Sequence, residues 1–280
     1  MQRKPLAIAV VAPANRLDPE LARRVTAITA QLYPEQVRVH VHPQCHMSWG
    51  HFAGEDQARA AAFVEVANNP AYGAVWFARG GYGSCRIAQE ALPQLTAAAR
   101  NKMYLGYSDM GTLLAALYAN KFLHVAHGPM PADIAREGGD AAIRRALAFL
   151  VDRDPNALEP SLAGAPHVAF NIKTFSCLLG TPFQPDLSGH VLMLEDVSEY
   201  MYGIDRALFH ITSNPAIRLV AGIKLGRCSQ IPANDPGFGQ SEVEVVQHWC
   251  KVSGIPYLGR ADIGHDASNK IVPFGATPVA

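Results

Sequence analysis

Short apolar runs and amphipathic stretches alternate along the first half of the chain. The apolar runs predict buried strands, and the stretches with a helical period predict helices between them. The predicted strands are Leu6–Ala12, Val37–Val41, Ala74–Ala78 and Met103–Tyr107, and the predicted helices are Asp18–Leu32, Glu55–Asn68, Ser84–Leu92 and Asp109–Asn120. Strands that alternate with helices in this way predict a parallel sheet with helices on both faces.

Two of the predicted helices have a clear start signal, and a third has a clear apolar face. Asp18 and Asp140 are predicted N-caps, the second for a further helix over Asp140–Val151, because an aspartate accepts hydrogen bonds from the free N–H groups of a first turn. In residues 109–120 the apolar side chains recur at i, i+3, i+4, i+7 and i+8, namely Met110, Leu113, Leu114, Leu117 and Tyr118.

Residues 152–166 are rich in Pro, Asp and Gly and show no periodicity, which predicts a linker. The linker separates an N-terminal α/β domain, residues 1–151, from a smaller C-terminal domain, residues 167–280. The second domain is predicted to be mixed α/β, with strands Val191–Leu194 and Leu219–Leu225 and helices Met201–Asn214 and Ser241–Val252. The predicted fold class is therefore α/β with two domains.

Composition narrows the class of function. The 280 residues are 49% hydrophobic, and Lys+Arg and Asp+Glu both number 24, so the zero net charge gives no electrostatic reason to expect nucleic-acid binding. No apolar stretch approaches the roughly 20 residues of a membrane span, and the first apolar run is too short for a signal peptide. Five scattered cysteines without CxxC spacing indicate reduced thiols. We therefore expect a cytoplasmic protein that binds neither membrane nor nucleic acid.

Ser108 is the first candidate for chemistry, in the segment Tyr104-Leu-Gly-Tyr-Ser-Asp-Met110. It lies between a predicted strand and a predicted helix, so its hydroxyl reaches the carboxyl edge of the sheet, where open α/β folds place their sites. The N–H of Asp109 would then point from a helix N-terminus at a developing oxyanion. The arrangement is typical of a nucleophile elbow, although Gly-x-Ser-x-Gly is absent. The alternative is that Ser108 only caps the helix.

The glycine-rich turn Arg79-Gly-Gly-Tyr-Gly83 follows the preceding strand and reaches the same sheet edge. Successive glycines let backbone N–H groups approach a ligand closely, but the turn could equally be a tight strand-to-helix connection. It does not match the Gly-x-Gly-x-x-Gly dinucleotide fingerprint.

Two segments of the second half carry a candidate acid and a candidate base. Leu194-Glu-Asp196 follows a predicted strand, and Gly264-His-Asp266 lies in a loop. Each is a weak signal alone, since an acidic pair is usually solvated and a lone histidine usually lies at the surface. Ser108, Glu195 and His265 do occur in the order nucleophile, acid, histidine, but catalytic triads occur in several orders.

A second candidate site is a cluster of possible metal ligands, His40, His42, Cys45 and His46. The spacing fits no standard zinc pattern, so we interpret the cluster as a polar strand end and predict no metal. His127, in His127-Gly-Pro-Met130, is expected close to the cleft as a structural neighbour.

These segments together resemble a known family, the LD-carboxypeptidases, serine peptidases that include muramoyltetrapeptide carboxypeptidase and the microcin C immunity hydrolases. The resemblance runs from about residue 12 to residue 275, and its pieces keep the order of the family. The pieces are Ala12-Pro-Ala14, Phe52-Ala-Gly-Glu-Asp-Gln-Ala-Arg59, Arg79-Gly-Gly-Tyr-Gly-Ser84, Gly106-Tyr-Ser-Asp109, His127-Gly-Pro-Met130, Leu178-Leu-Gly-Thr-Pro182, Leu194-Glu-Asp-Val197, Ile204-Asp-Arg206, Ala221-Gly-Ile223 and Gly264-His265.

The resemblance implies a triad of Ser108 as nucleophile, His265 as base and Glu195 as the carboxylate that orients it. It also implies an oxyanion hole from the N–H groups of Asp109 and Gly81. The remaining predicted substrate-binding residues are Arg79, Gly80, Tyr82 and His127. The N-terminal domain is expected to be class I glutamine-amidotransferase-like, the chain to form a homodimer, and catalysis to need no cofactor or metal.

The implied function is the release of a terminal D-amino acid, D-alanine, from a small muropeptide, murein tetrapeptide, during cell-wall recycling. One alternative is hydrolysis of peptidyl or aminoacyl adenylate analogues, of the microcin C self-immunity type, which an aromatic shelf from Trp49 or Trp76 would favour. Another is a non-catalytic peptide-binding protein. The chain departs from the family where Ala169-Phe170 replaces the usual Gly-Gly, and Phe170 is expected to add bulk near the interdomain cleft.

Overall fold

The first half of the chain alternates strands and helices in the computed structural model, which describes residues 5–162 and 164–276. Its strands are β1 (Leu6–Val11), β2 (Val37–Val41), β3 (Ala74–Phe77), β4 (Met103–Gly106) and β5 (Val125–His127). Its helices are α1 (Pro19–Leu32), α2 (Asp56–Asn68), α3 (Ser84–Ala91), α4 (Ala97–Arg100), α5 (Gly111–Ala119) and α6 (Gly139–Asp152). The five strands pair in parallel.

The second half builds a further parallel sheet. Its elements are β6 (His167–Asn171), α7 (Ile172–Leu178), β7 (Val191–Val197), α8 (Met201–Ser213), β8 (Gly222–Ser229), α9 (Glu242–Ser253), β9 (Tyr257–Arg260) and β10 (Val272–Pro273). The strand orders are β10-β5-β4-β3-β1-β2 in the first sheet and β6-β7-β8-β9 in the second. A mixed α/β fold with parallel sheets is therefore confirmed.

The last strand leaves the second half and returns to the first sheet. In β10, Val272 and Pro273 pair antiparallel with His127 and Ala126 of β5. Just beyond it, His167 of β6 and Gly275 exchange backbone hydrogen bonds of 3.0 and 2.9 Å. The end of the described chain thus ties the two sheets together. The division into an N-terminal domain that ends at residue 151 and a C-terminal domain that begins at residue 167 stays a prediction.

Some predicted helix starts hold and others do not. Asp18 caps α1 as predicted, because its carboxylate accepts from the N–H of Glu20 at 2.8 Å. Asp140 does not cap α6: Gly138, at φ 70°, occupies the cap position, and Asp140 lies in the first helical turn. The helix predicted from Asp109 begins instead as a 3₁₀ turn over Ser108–Met110.

The core is continuous between the two sheets. Buried side chains of α5, such as Leu113 and Leu117, belong to the same apolar cluster as Val168 and Leu192 of the second sheet. This burial fixes the position of one sheet's carboxyl edge relative to the other. Within the described ranges, no helix has the length and apolar character needed to cross a membrane.

Candidate active site

Ser108 lies at a sharp turn between β4 and α5. Its φ is +61°, a left-handed backbone that costs a residue with a side chain about 1 kcal/mol or more. Tyr107, not Ser108, occupies the cap position of the 3₁₀ turn, and no side chain caps it. The Ser108 hydroxyl instead contacts His265 Nε2 at 3.0 Å. The capping interpretation of Ser108 is therefore wrong.

Three side chains from distant parts of the chain form one hydrogen-bonded series. His265 Nε2 lies 3.0 Å from Ser108 Oγ, and His265 Nδ1 lies 2.5 Å from Glu195 Oε2. Glu195 is fully buried in β7, at a position where the register with β8 shifts, and His265 is also buried. A hydroxyl, an imidazole and a carboxylate in this order can activate the hydroxyl as a nucleophile.

Electrostatics favour a positive charge on His265. Burial alone would lower its pKa, but the charge of Glu195 and the hydrogen bond to it outweigh burial, so the pKa is raised above the ordinary value. An imidazole in this setting can take up a proton from Ser108 and hold it beside a fixed negative charge.

Asp196, next to Glu195, is buried rather than solvated. Its carboxylate accepts from Asn171 Nδ2 at 2.9 Å and from the N–H of Lys173 at 3.2 Å. Burial raises its pKa to about 6, although these hydrogen bonds act in the opposite direction. Asp196 therefore fixes the start of α7 against β7 and does not contact His265.

The glycine-rich turn after β3 is tied directly to the serine turn. The Asp109 carboxylate accepts from the N–H of Ser84 at 2.8 Å, and the Asp109 carbonyl accepts from the Ser84 hydroxyl at 2.6 Å. Burial raises the pKa of Asp109. Gly81, at φ 111°, requires a backbone that disfavours any side chain. The two turns thus hold each other in position.

Gly80 leaves space for the serine. A Cβ at this position would lie 2.9 Å from Ser108 Cβ and 3.0 Å from Ser108 Oγ, closer than side-chain carbons pack.

We expect Gly80→Ala to lower kcat about 100-fold while the protein stays folded, because a displacement of the nucleophile near 1 Å has an effect of this size. The measurement is steady-state kinetics together with thermal melting. Gly237→Ala is the matched control, since a Cβ there meets no atom within 4 Å. A Gly80→Ala variant with the wild-type rate would show that the close approach has no role.

A cavity of ≈ 510 Å³ opens over Ser108 and His265. Two of its walls carry arginines, Arg79 from the glycine-rich turn and Arg136 from the segment after β5. Gly80, Gly81, Tyr107, Met130 and Val197 complete much of the lining. The cavity is large enough for a few amino-acid residues and presents cationic groups near the nucleophile.

A second cavity of ≈ 570 Å³ meets the first at Gly81. Tyr82, which is half exposed, and Asp109 line one side of it, and α7 with the segment that follows lines the other. Of the predicted substrate-binding residues, Arg79 and Gly80 therefore line the first cavity and Tyr82 lines the second.

His127 lies outside both cavities, contrary to the predicted substrate contact. Its side chain is 1% exposed and packs against the Tyr107 ring, with 5.4 Å between ring centroids. Burial lowers its pKa to about 4, so the ring is neutral near pH 7. His127 Nε2 lies 3.2 Å from Asn269 Oδ1, which also accepts from the N–H of Gly264 at 3.1 Å. His127 therefore supports the loop that carries His265.

Two arginines that sequence reasoning missed also hold this loop. Arg227 of β8 forms ion pairs with Asp262 at 2.6 Å and Asp266 at 2.5 Å. Arg145 of α6 donates to the carbonyl of Ala267 at 2.8 Å. No sequence pattern marks either arginine, because the partners lie 35 to 122 residues away along the chain. The base is thus anchored from elements of both halves.

In the histidine-rich segment that follows β2, the side chains of His42, Cys45 and His46 each have a different hydrogen-bond partner. His42 Nδ1 accepts from the N–H of Gln44 at 3.2 Å, His46 Nδ1 lies 2.9 Å from the Leu17 carbonyl, and Cys45 Sγ donates to the Val10 carbonyl at 3.3 Å. Across residues 5–162 and 164–276, no group of three or more His, Cys, Asp or Glu is arranged to hold a metal.

The aromatic residues singled out in the sequence also lie away from the cavities. Trp76 is buried in the core, where its indole N–H donates to the Pro129 carbonyl at 2.7 Å, and Trp49 stacks on Phe52 at the surface. Phe170 is buried against Phe175, at 4.7 Å between ring centroids. The bulk of Phe170 therefore fills the core beside α5 and lines neither cavity.

Comparisons with known proteins agree with this geometry. The family model described as LD-carboxypeptidase N-terminal domain matches residues 8–128, and that described as LD-carboxypeptidase C-terminal domain matches residues 165–278. The chain is 32% identical over 237 residues to a Synechocystis protein named as a carboxypeptidase, covering 82% of this chain and 77% of that protein. It is 26% identical over 299 residues to the murein tetrapeptide carboxypeptidase of Pseudomonas aeruginosa, covering 97% and 92%.

Solved structures share the fold. Muramoyltetrapeptide carboxypeptidase from Oxalobacter formigenes superposes with a TM-score of 0.79 at 20% identity, covering 96% of this chain and 92% of that one. The microcin C7 self immunity protein MccF superposes with a TM-score of 0.79 at 18% identity, covering 98% and 92%.

Proposed function

The chain belongs to the LD-carboxypeptidase family of serine peptidases, and from this premise we propose that it releases the terminal D-alanine of murein tetrapeptide by hydrolysing an L,D peptide bond. The observation that carries the proposal is the hydrogen-bonded series Ser108–His265–Glu195 at the floor of a cavity that fits a small peptide. The match to a relative named murein tetrapeptide carboxypeptidase supports the substrate class.

In the proposed mechanism, Ser108 Oγ attacks the carbonyl of the scissile bond while His265 Nε2 takes the hydroxyl proton. Glu195 accepts from Nδ1–H, fixes the ring orientation and stabilises the imidazolium. His265 then gives the proton to the departing amine of D-alanine. Water attacks the acyl-enzyme, again with His265 as base, and restores Ser108.

The proposed oxyanion hole consists of the backbone N–H groups of Asp109 and Gly81. Asp109 is the second residue of the 3₁₀ turn, where an N–H has no acceptor within its own helix. Gly81 lines the cavity beside Ser108, and the Asp109 carboxylate holds the two turns together. Each such donor contributes about 10² to 10³ in kcat.

The proposal extends to the architecture around the site. We take residues 1–151 as a class I glutamine-amidotransferase-like domain that carries the nucleophile, and residues 167–280 as the domain that carries Glu195 and His265. The parallel strands β1 to β5, with Ser108 in the turn that follows β4, support the first assignment. A homodimer and a cytoplasmic role in wall recycling are further parts of the proposal, and size-exclusion chromatography with light scattering tests the first of them.

Stereochemistry provides the test. We expect mass spectrometry to detect D-alanine when wild-type protein is incubated with murein tetrapeptide, and no alanine when the same peptide ends in L-alanine. Ser108→Ala is run alongside to exclude a contaminating peptidase. Equal release from both peptides would argue against an L,D-specific enzyme, and release from neither would end the murein proposal.

The likeness of fold to the microcin C7 self immunity protein MccF supports the adenylate-analogue alternative, but at 18% identity it extends to the fold alone. The shelf expected from Trp49 or Trp76 is not formed, because neither tryptophan lines either cavity; the aromatic residues that line the second cavity are Tyr82 and Phe183. A non-catalytic peptide-binding role is also disfavoured, because binding alone does not require a fully buried carboxylate behind the histidine.

A further inference from the structure

We propose that Arg136 binds the terminal carboxylate of the substrate beside Ser108, held in place by Asp133 and Tyr107. The inference rests on the proposed carboxypeptidase function, and it names the residue that makes the site specific for a chain end. A carboxypeptidase cleaves the bond next to a free carboxylate, and a guanidinium in the same cavity as the nucleophile can bind that group with two charge-assisted hydrogen bonds. Arg136 lines that cavity together with Ser108 and His265.

The buried carboxylate of Asp133 holds one edge of the Arg136 guanidinium. Asp133 Oδ1 accepts from Arg136 Nε and from the Tyr107 hydroxyl, each at 2.8 Å. Asp133 Oδ2 accepts from the N–H of Met130, also at 2.8 Å. Since Asp133 is buried and both of its oxygens are used, it acts as a rigid support for the guanidinium.

The other edge of the guanidinium remains open to the cavity. The Arg136 side chain is 34% exposed, and one terminal nitrogen makes only a long contact of 3.4 Å to the Tyr107 hydroxyl. A guanidinium that is already oriented loses little side-chain entropy when it binds, and its paired N–H donors match the two oxygens of a carboxylate.

Arg136 is also close to the catalytic base. Its charge opposes the rise in the pKa of His265, and Tyr107, whose hydroxyl lies 3.4 Å from an Arg136 nitrogen, has its ring 4.7 Å, centroid to centroid, from the imidazole. A carboxylate bound at Arg136 would therefore lie near Ser108 Oγ, as it must when the leaving group is a single amino acid.

The other cations fit this role less well. Arg79 lines the same cavity, but its side chain is exposed and forms no ion pair within the described ranges, so it would have to be ordered by the substrate. Lys173 lines the other cavity and pairs with Glu199 at 3.3 Å.

The test compares murein tetrapeptide with the same peptide ending in D-alaninamide. We expect Arg136→Gln to lower kcat/KM for the free acid about 100-fold, the size of a charge-assisted pair of hydrogen bonds, and for the amide less than about threefold. Arg136→Lys should recover part of the loss, because it keeps the charge without the planar fork. The matched control is Arg23→Gln, since Arg23 also donates through Nε to an acid three residues earlier, Glu20, but on an exposed surface.

The outcomes separate this inference from the proposed function. If wild type releases neither D-alanine from the free acid nor D-alaninamide from the amide, the proposed function fails and this inference fails with it. If wild type is active and Arg136→Gln keeps the wild-type ratio of kcat/KM for the acid to kcat/KM for the amide, only the assignment to Arg136 is overturned and the proposed function stands. The same holds if that ratio falls in Arg79→Gln and not in Arg136→Gln. Thermal melting and labelling of Ser108 by a fluorophosphonate show whether each variant is folded. If Arg136→Gln does not fold, the ratio measured with Arg136→Lys decides.

Discussion

Ser108→Ala is expected to lower kcat for D-alanine release by about 10⁶-fold, because loss of the nucleophile in a serine-protease triad has an effect of this size. The substitution removes only the hydroxyl that contacts His265 Nε2. The fold should persist, since the turn is held by Asp109 and Ser84 and not by the serine side chain. Quantitative mass spectrometry of released D-alanine, with circular dichroism of both proteins, makes the measurement.

The backbone at Ser108 supplies a control for this variant. Alanine at φ +61° keeps the strain of the serine, whereas glycine does not, so Ser108→Gly should be more stable than Ser108→Ala by about 1 kcal/mol. Both variants should be equally inactive. A residual rate above about one thousandth of wild type in either variant would mean that another group attacks the substrate.

Glu195→Gln is expected to lower kcat about 10⁴-fold, as found when the acid of a serine-protease triad is replaced by its amide. The neutral amide can present its N–H to Nδ1 and so favour the wrong tautomer of His265. It also removes the negative charge that stabilises the imidazolium. Because Glu195 is fully buried, water cannot restore that charge.

The same variant should shift the pH profile. His265 must be neutral to act as a base, so wild-type kcat/KM should rise as pH passes through the pKa of His265, which Glu195 raises. In Glu195→Gln burial remains and the raising charge is gone, so the inflection should move to lower pH. Glu65→Gln is a matched control, because Glu65 lies 3.4 Å from His42 at the surface. An unchanged inflection in Glu195→Gln would contradict the coupling.

The pair of His265 and Glu195 also determines how the unfolding free energy depends on pH. A histidine whose pKa is raised on folding contributes stability that is fully present below its unfolded pKa of about 6.5 and is lost as pH rises through the folded value. Wild type should therefore exceed Glu195→Gln in unfolding free energy by the largest margin in acid.

Local pattern predicted most of the first half of the fold but missed the short elements α4 and β5. The alternation of apolar runs and helical periods placed β1 to β4 within a residue of their ends, because each is a short apolar run and all but β2 are mostly buried. Elements of the second half were missed for physical reasons. The strand β10 has only two residues and is defined by pairing with β5, and β6 begins with a buried histidine, which no strand propensity favours.

Prediction of the active-site residues was limited in the same way, because local sequence pattern does not reveal contacts between distant parts of the chain. Ser108 could be predicted because a strand-to-helix turn has a local signal, whereas the segments of Glu195 and His265 gave weak signals that only the family resemblance joined into a triad. Arg136 and Asn269 act through contacts to residues that no pattern brings together. His127 is buried against the Tyr107 ring, which agrees with its expected role as a structural neighbour and not with its inclusion among the substrate-binding residues.

The position of β10 has a consequence for synthesis of the protein. The ribosome makes Ser108 early, but its partner His265 follows 157 residues later, and the strand that binds the histidine loop to the first sheet comes later still. A nascent chain that ends before His265 therefore carries the serine turn without its base. The series of Ser108, His265 and Glu195 is complete only once His265 has been synthesised, so we expect no hydrolytic activity from a chain released before that point.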